Sequence, residues 1–114
     1  MEKDLEQRTK RFALSTIKFV AELERTREAD VIGRQLLRSS TSIGANYREA
    51  NRGVSRPDFA AKIGTVQKEA AETQYWLELL IESGIGGPKT NGLHKESSEL
   101  LAIFTTIGKR LKEP

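Results

Sequence analysis

The stretch VIGRQLLRSSTSIGANYREANRGVSRPDFAAKIGTVQKEAAETQYWLELLI, residues 31–81, holds two runs of apolar and small residues spaced alternately four and three apart, with one short turn between them. In the first run the pattern falls on Leu36, Ser40, Ile43, Tyr47, Ala50 and Val54. In the second it falls on Phe59, Ile63, Val66, Ala70, Thr73, Leu77 and Leu80. A repeat near 3.5 residues keeps one stripe of a helix turned toward a partner, so the stretch reads as an antiparallel helical hairpin. The turn G-V-S-R-P-D (53–58) punctuates it. Gly53 is suited to a left-handed φ where the first helix ends, and Ser55 to capping the second. Pro57 is tolerated in a first turn, and Asp58 complements the positive end of the helix dipole.

The flanks repeat the pattern. Leu5, Phe12 and Phe19 recur every seven residues, with Ala13, Ile17, Val20 and Leu23 widening the stripe, and Leu93, Ser97, Leu100, Phe104, Ile107 and Leu111 keep the four-three rhythm near the C-terminus. The segment S-G-I-G-G-P (83–88) interrupts any helix that would cross it. The expected elements are helices over 4–25, 29–53, 57–83 and 90–112, all-α, in one domain spanning 1–114. β-Branched residues sit inside helical patterns, and no two-residue hairpin signal separates alternating runs.

A chain of 114 residues buries roughly two thirds of its unfolded surface, enough for one core shared by all the helices. Cysteine is absent, which removes both a disulfide framework and a thiolate metal site. The first residues, M-E-K-D-L-E-Q-R, are charged, and no apolar run approaches the ~20 residues of a membrane span. A cytoplasmic protein without membrane association is the expectation.

Three segments carry a family resemblance: R-Q-L-L-R-S-S-T-S-I-G-A-N-Y-R-E-A (34–50), S-R-P-D-F (55–59) and E-A-A-E-T-Q-Y-W-L-E-L-L-I-E-S-G (69–84). They closely resemble the four-helix-bundle proteins named after intervening sequences in bacterial 23S ribosomal RNA genes. T-K-R-F-A (9–13) extends the likeness in weaker form, while the last helix matches only in its apolar spacing. Many relatives carry Glu-Gly where this chain has Glu49-Ala50, and a Trp-containing first helix that this chain lacks. The resemblance implies an antiparallel up-down-up-down four-helix bundle that assembles into a ring-shaped homopentamer without catalytic activity. In a related branch, the accessory proteins of diversity-generating retroelements, a basic pentamer partners a reverse transcriptase and nucleic acid.

Assembly also has a footing in the residues themselves. Tyr75, Trp76, Leu77, Leu79, Leu80 and Ile81 sweep an arc of roughly 240° at about 100° per residue, wider than one bundle interior needs. The first helix, from Phe12 to Leu23, covers roughly 220° by the same count. Phe19, Tyr75, Trp76 and Leu79 are the candidate interface residues. The alternative is a wide core face with a few exposed hydrophobics.

The run S-S-T-S-I-G-A-N (39–46) is rich in mediocre helix formers, so something must compensate for them. One reading is close helix approach plus a register-setting polar cluster in which Asn46 and Glu49 meet Glu69, Glu72 or Arg38. The other is a ligand pocket beneath a thin helix wall.

The net charge of +3 is modest, but Arg34, Arg38, Arg48, Arg52 and Arg56 concentrate along the second helix and its exit against a single Glu49. With Leu36, Ser40, Ile43 and Tyr47 facing inward, the first four arginines fall on outward heptad positions. There they form a stripe suited to phosphates, or a merely solvated face. No strand platform for single-stranded RNA and no helix-turn-helix signature is present, so any contact is to backbone and shape.

Catalytic chemistry finds no constellation. A bundle di-iron centre requires Glu-x-x-His pairs, whereas His94 is the sole histidine, more suited to a solvated or capping role than to a ligand. The G-I-G-G-P loop (84–88) has neither a strand before it nor Lys-Ser/Thr after it. No enzyme, cofactor, metal or small-molecule substrate is expected. Two functions remain: a homo-oligomeric accessory protein binding RNA or DNA through the arginine stripe, or a scaffold that recruits a partner protein and has no nucleic-acid role.

Overall fold

The computed structural model describes residues 4–114, and four helices account for nearly all of them: α1 (Leu5–Ala21), α2 (Arg27–Asn51), α3 (Arg56–Ser83) and α4 (Thr90–Leu111). The rod they form measures 48 × 22 × 21 Å. Cross-helix neighbours give the direction of each element. Asn51 on α2 donates to Glu6 on α1, while a Cβ on Gly33 would sit 3.3 Å from Leu23 just beyond α1. Lys62 on α3 reaches Glu49 on α2, while Thr73 reaches Ser39. His94 on α4 faces Glu78 on α3, while Gly108 lies against Gln67. Residue numbers thus rise on one helix as they fall on its neighbour, so the chain runs up, down, up and down. The seam between α1 and α4 is the thinnest of the four.

The four-three rhythm is the core. Leu36, Ile43, Tyr47 and Ala50 of α2 meet Ile63, Val66, Ala70, Leu77 and Leu80 of α3, all buried, with Leu100 and Phe104 completing the interior from α4. Tyr47 and Phe104 meet edge to face with ring centroids 5.2 Å apart. On α1 the buried series is Leu5, Thr9, Phe12, Thr16 and Phe19, so two threonines fill the positions between the apolar ones. Their hydroxyls donate to the carbonyls of Leu5 and Phe12 one turn back, which satisfies the buried oxygen inside the helix that carries it.

The same device answers the polar run in α2. Ser39, Ser40, Thr41 and Ser42 each donate to a carbonyl three or four residues earlier, and Ser39 also accepts from Thr73 at 2.9 Å. A Cβ on Gly44 would lie 3.1 Å from the Thr9 hydroxyl, so the small residue sets how closely α1 and α2 approach.

Three local expectations are corrected. The first helix stops at Ala21 instead of Arg25, because Thr26 takes an extended backbone (φ −121°, ψ 162°) and its hydroxyl caps α2 by accepting from Ala29 N–H. That cap starts α2 at Arg27, two residues before the expected position, and residues 22–25 become the link. Gly53 does not adopt a left-handed φ; positive φ among the described residues is confined to Gly84 (76°) and Gly87 (74°). Gly53 is instead a close-approach glycine, since a Cβ there would sit 3.2 Å from the Ala50 carbonyl oxygen. Val54 lies beyond the end of α2 in the turn and is almost wholly exposed, not part of the seam. Ser55 caps α3 by accepting from Asp58 N–H, with Pro57 in the first turn, as the sequence predicts.

Candidate nucleic-acid interface

The outward face of α2 is the surface that the arginine pattern singles out, and the bundle treats its members differently. Arg34 and Arg52 are exposed and lie eighteen residues apart on one line of the helix, about 27 Å at 1.5 Å per residue. Thr41 and Ala45 occupy the space between them, so that stretch of helix presents small side chains. Arg34 forms no ion pair or hydrogen bond with another described residue. Arg52 donates only to the Arg48 carbonyl, at 3.4 Å.

Arg48 leans toward α1. Its guanidinium is 3.9 Å from Glu6 and half exposed, a separation at which an exposed pair contributes little. Arg48 and Arg52 line a shallow groove of about 390 Å³ between α1 and α2 together with Lys10, which sequence periodicity did not bring into the site. Lys10, Arg48 and Arg52 outnumber the groove's two acids. Glu6 accepts from Asn51, and Glu49 is held by Lys62 at 2.7 Å. The signal for Lys10 was available only through the antiparallel register of α1 and α2.

Arg38 lies on the side of α2 that faces α3, half exposed, hydrogen-bonded to Glu72 and 3.4 Å from Glu69, so it is a cross-helix tie between two carboxylates. Trp76 Nε1 donates to the same Glu72 carboxylate at 3.1 Å. Arg56, the first residue of α3, donates to the Leu111 carbonyl at the end of α4, where a cation complements the negative end of the helix dipole.

The expected polar cluster is therefore assembled only in part. Arg38, Glu69 and Glu72 come together, with Trp76 added. Asn46 instead donates to the Ser42 carbonyl of its own helix, and Glu49 points to Lys62. The candidate interface residues also separate. Phe19 is only 6% exposed and belongs to the core of the bundle, because its position on α1 is one of the inward series. Tyr75 is 53% exposed, edge to face with Trp76, while Trp76 and Leu79 are half-buried. Leu14 and Ile17 on α1 and Val31 on α2 are further exposed apolar side chains.

His94 sits 3.3 Å from Glu78 on the α3–α4 seam, and among the described residues no group of three or more His, Asp or Glu side chains is placed to hold a metal. No helix among them is long and apolar enough to cross a membrane.

The model of the 23S rRNA-intervening sequence protein family matches residues 2–106, nearly the whole bundle. The chain belongs to that family. A crystal structure of a protein of unknown function from the S23 ribosomal protein family of Bacteroides thetaiotaomicron is similar to it, with 36% sequence identity and a TM-score of 0.85. The likeness covers 96% of this chain and 99% of that one. No curated protein matches the sequence. Membership in the 23S rRNA-intervening sequence protein family accounts for the four-helix architecture and leaves the role of the α2 face to be read from its chemistry.

Proposed function

We propose that this chain is a non-enzymatic cytoplasmic protein that assembles into a homopentamer and binds structured RNA, or other nucleic acid, as a ribonucleoprotein accessory factor. The observation that carries the reading is the uncompensated pair Arg34 and Arg52 on the outward line of α2, extended toward α1 by Arg48 and Lys10. Guanidinium groups match phosphate oxygens bidentately, and cations spread over about 27 Å of rigid helix span several phosphates. The absence of an aromatic platform on this face favours backbone contact over base reading. Self-association is supported by Leu14, Ile17, Val31 and Tyr75, which place apolar side chains in water on a small domain. A ring would repeat the arginine face in every subunit and multiply weak phosphate contacts into useful avidity.

Light scattering on the free protein tests the assembly, and anisotropy titration of a labelled RNA hairpin tests the binding. The expected results are a mass of about five chains and saturable binding that weakens steeply with salt. An oligomer that binds no hairpin or duplex even at about 50 mM salt would replace this reading with the protein scaffold, and a monomer would overturn the assembly.

A further inference from the structure

The thin seam between α1 and α4 is an open groove of about 720 Å³ on a different face of the rod from the α2 arginines. It is closed at each end by an ion-paired crossing. Arg8 on α1 forms two 2.8 Å hydrogen bonds to Glu96 and a third to Glu99, and Lys89 before α4 lies 3.3 Å from Glu22. The hydrogen bonds to Glu96 hold the Arg8 guanidinium above its ordinary pKa. Between the crossings the floor is apolar, made by Phe12, Phe19 and Leu93. The α1 wall carries Arg11 and Lys18, both exposed and neither paired with any described residue. The α4 wall opposite them is lowered by Gly92, where a Cβ would meet nothing within 4 Å.

We infer that this groove docks a short acidic amphipathic helix of a partner protein. The charge is complementary. Four cations line the groove against two acids, and both acids are already engaged by Arg8 and Lys89, which leaves Arg11 and Lys18 as the unmet charge. The spacing selects a helix. Arg8 to Glu22 spans about 21 Å, the length of a helix of about 14 residues, and a helix laid along α1 has the same rise per residue. Two carboxylates seven residues apart on its edge then meet Arg11 and Lys18 together, while its apolar stripe covers the floor. Nucleic acid fits less well, because a phosphate backbone could meet Arg11 and Lys18 but would leave the apolar floor uncovered.

The probe is a fluorescein-labelled helical peptide of about 14 residues with leucines on one face and two glutamates seven apart, compared with the same peptide bearing lysines at those two positions. The full-length protein should bind the glutamate peptide at least roughly tenfold more tightly than the lysine peptide, with resonance shifts confined to α1 and α4. Arg11→Glu with Lys18→Glu should weaken binding by roughly tenfold or more. Gly92→Leu should abolish it by filling the groove, with the melting temperature unchanged or raised, since the position is an exposed helical one with open space around it. Equal binding of the two peptides, or full binding by the Gly92→Leu variant, would overturn the inference. So would an RNA hairpin shifting Arg11, Lys18 and Leu93 where the peptide does not, which would make the groove a nucleic-acid site. Groove amides protected in the free oligomer and exposed only on its dissociation would assign the groove to a second copy of the chain.

Discussion

Arg38 and Arg34 sit one turn apart on α2, and the structure gives them opposite work, so replacing each by alanine should produce opposite signatures. Arg38 ties α2 to α3 through Glu69 and Glu72, whose side chains are 16% and 29% exposed. Exposed pairs contribute about 0.2–1 kcal/mol each, and Arg38 is itself half exposed, so solvent screening holds the loss of both pairs to about 0.4–2 kcal/mol. At about 2.1 cal/mol/K per residue the unfolding entropy of 114 residues is about 240 cal/mol/K, so each kcal/mol shifts the melting temperature by about 4 °C. Arg38→Ala should therefore melt about 2–8 °C lower at matched protein concentration, with RNA binding unchanged at temperatures where it stays folded. Arg34→Ala removes no contact and should stay within about 2 °C of the parent, yet flatten the slope of log affinity against log salt by about 0.7–0.9. Circular dichroism melts and anisotropy titrations at several salt concentrations read both quantities. An unchanged melt for Arg38→Ala together with a flattened salt slope would refute the division of labour.

The interior makes further demands. Ile43 is fully buried at the α2–α3 seam, and Ile43→Asp should unfold or dissociate the protein by placing an unpaired carboxylate there at a cost of several kcal/mol; an unchanged melt at neutral pH would remove Ile43 from the core. Ser55→Ala deletes the cap on α3 and should cost about 1 kcal/mol, read as a fall of about 4 °C, whereas Ser55→Gly should cost only a few tenths. Gly64 is an exposed helical position where a Cβ meets nothing within 4 Å, so Gly64→Ala should raise the melting temperature by about 2–4 °C through helix propensity alone.

The α2–α3 hairpin was legible because its apolar spacing is a local property, kept from Leu36 to Ala50 on α2 and from Phe59 to Leu80 on α3. Ser55 and Pro57 were legible for the same reason. The end of α1 was not: Val20 in its last turn and Leu23 beyond it both stay partly buried, and the stop is marked only by Thr26 capping the next helix. Thr9 and Thr16 escaped notice because their hydroxyls are neutralised by backbone carbonyls of the same turn, which makes polar residues serviceable core. For the candidate site, periodicity placed the arginines on the outer half of α2 but carried no record of what stands beside them. Arg38 is claimed by two acids some thirty residues on, Arg48 leans to Glu6, and Lys10 joins from another helix. Phe19 shows the same limit from the apolar side, since a wide stripe does not reveal which of its edges a neighbouring helix covers.

The central claim is that the outward cations of α2 meet phosphates, and the salt dependence of RNA binding in Arg34→Glu with Arg52→Glu tests it most directly. Neither side chain holds the bundle together, so the variant should keep its melting temperature within about 2 °C and its oligomeric mass. Its affinity for an RNA hairpin should fall sharply and the slope of log affinity against log salt should shrink by about 1.4–1.8, two contacts' worth. A folded, assembled variant that binds the hairpin as tightly as the parent, with the same slope, would contradict the account.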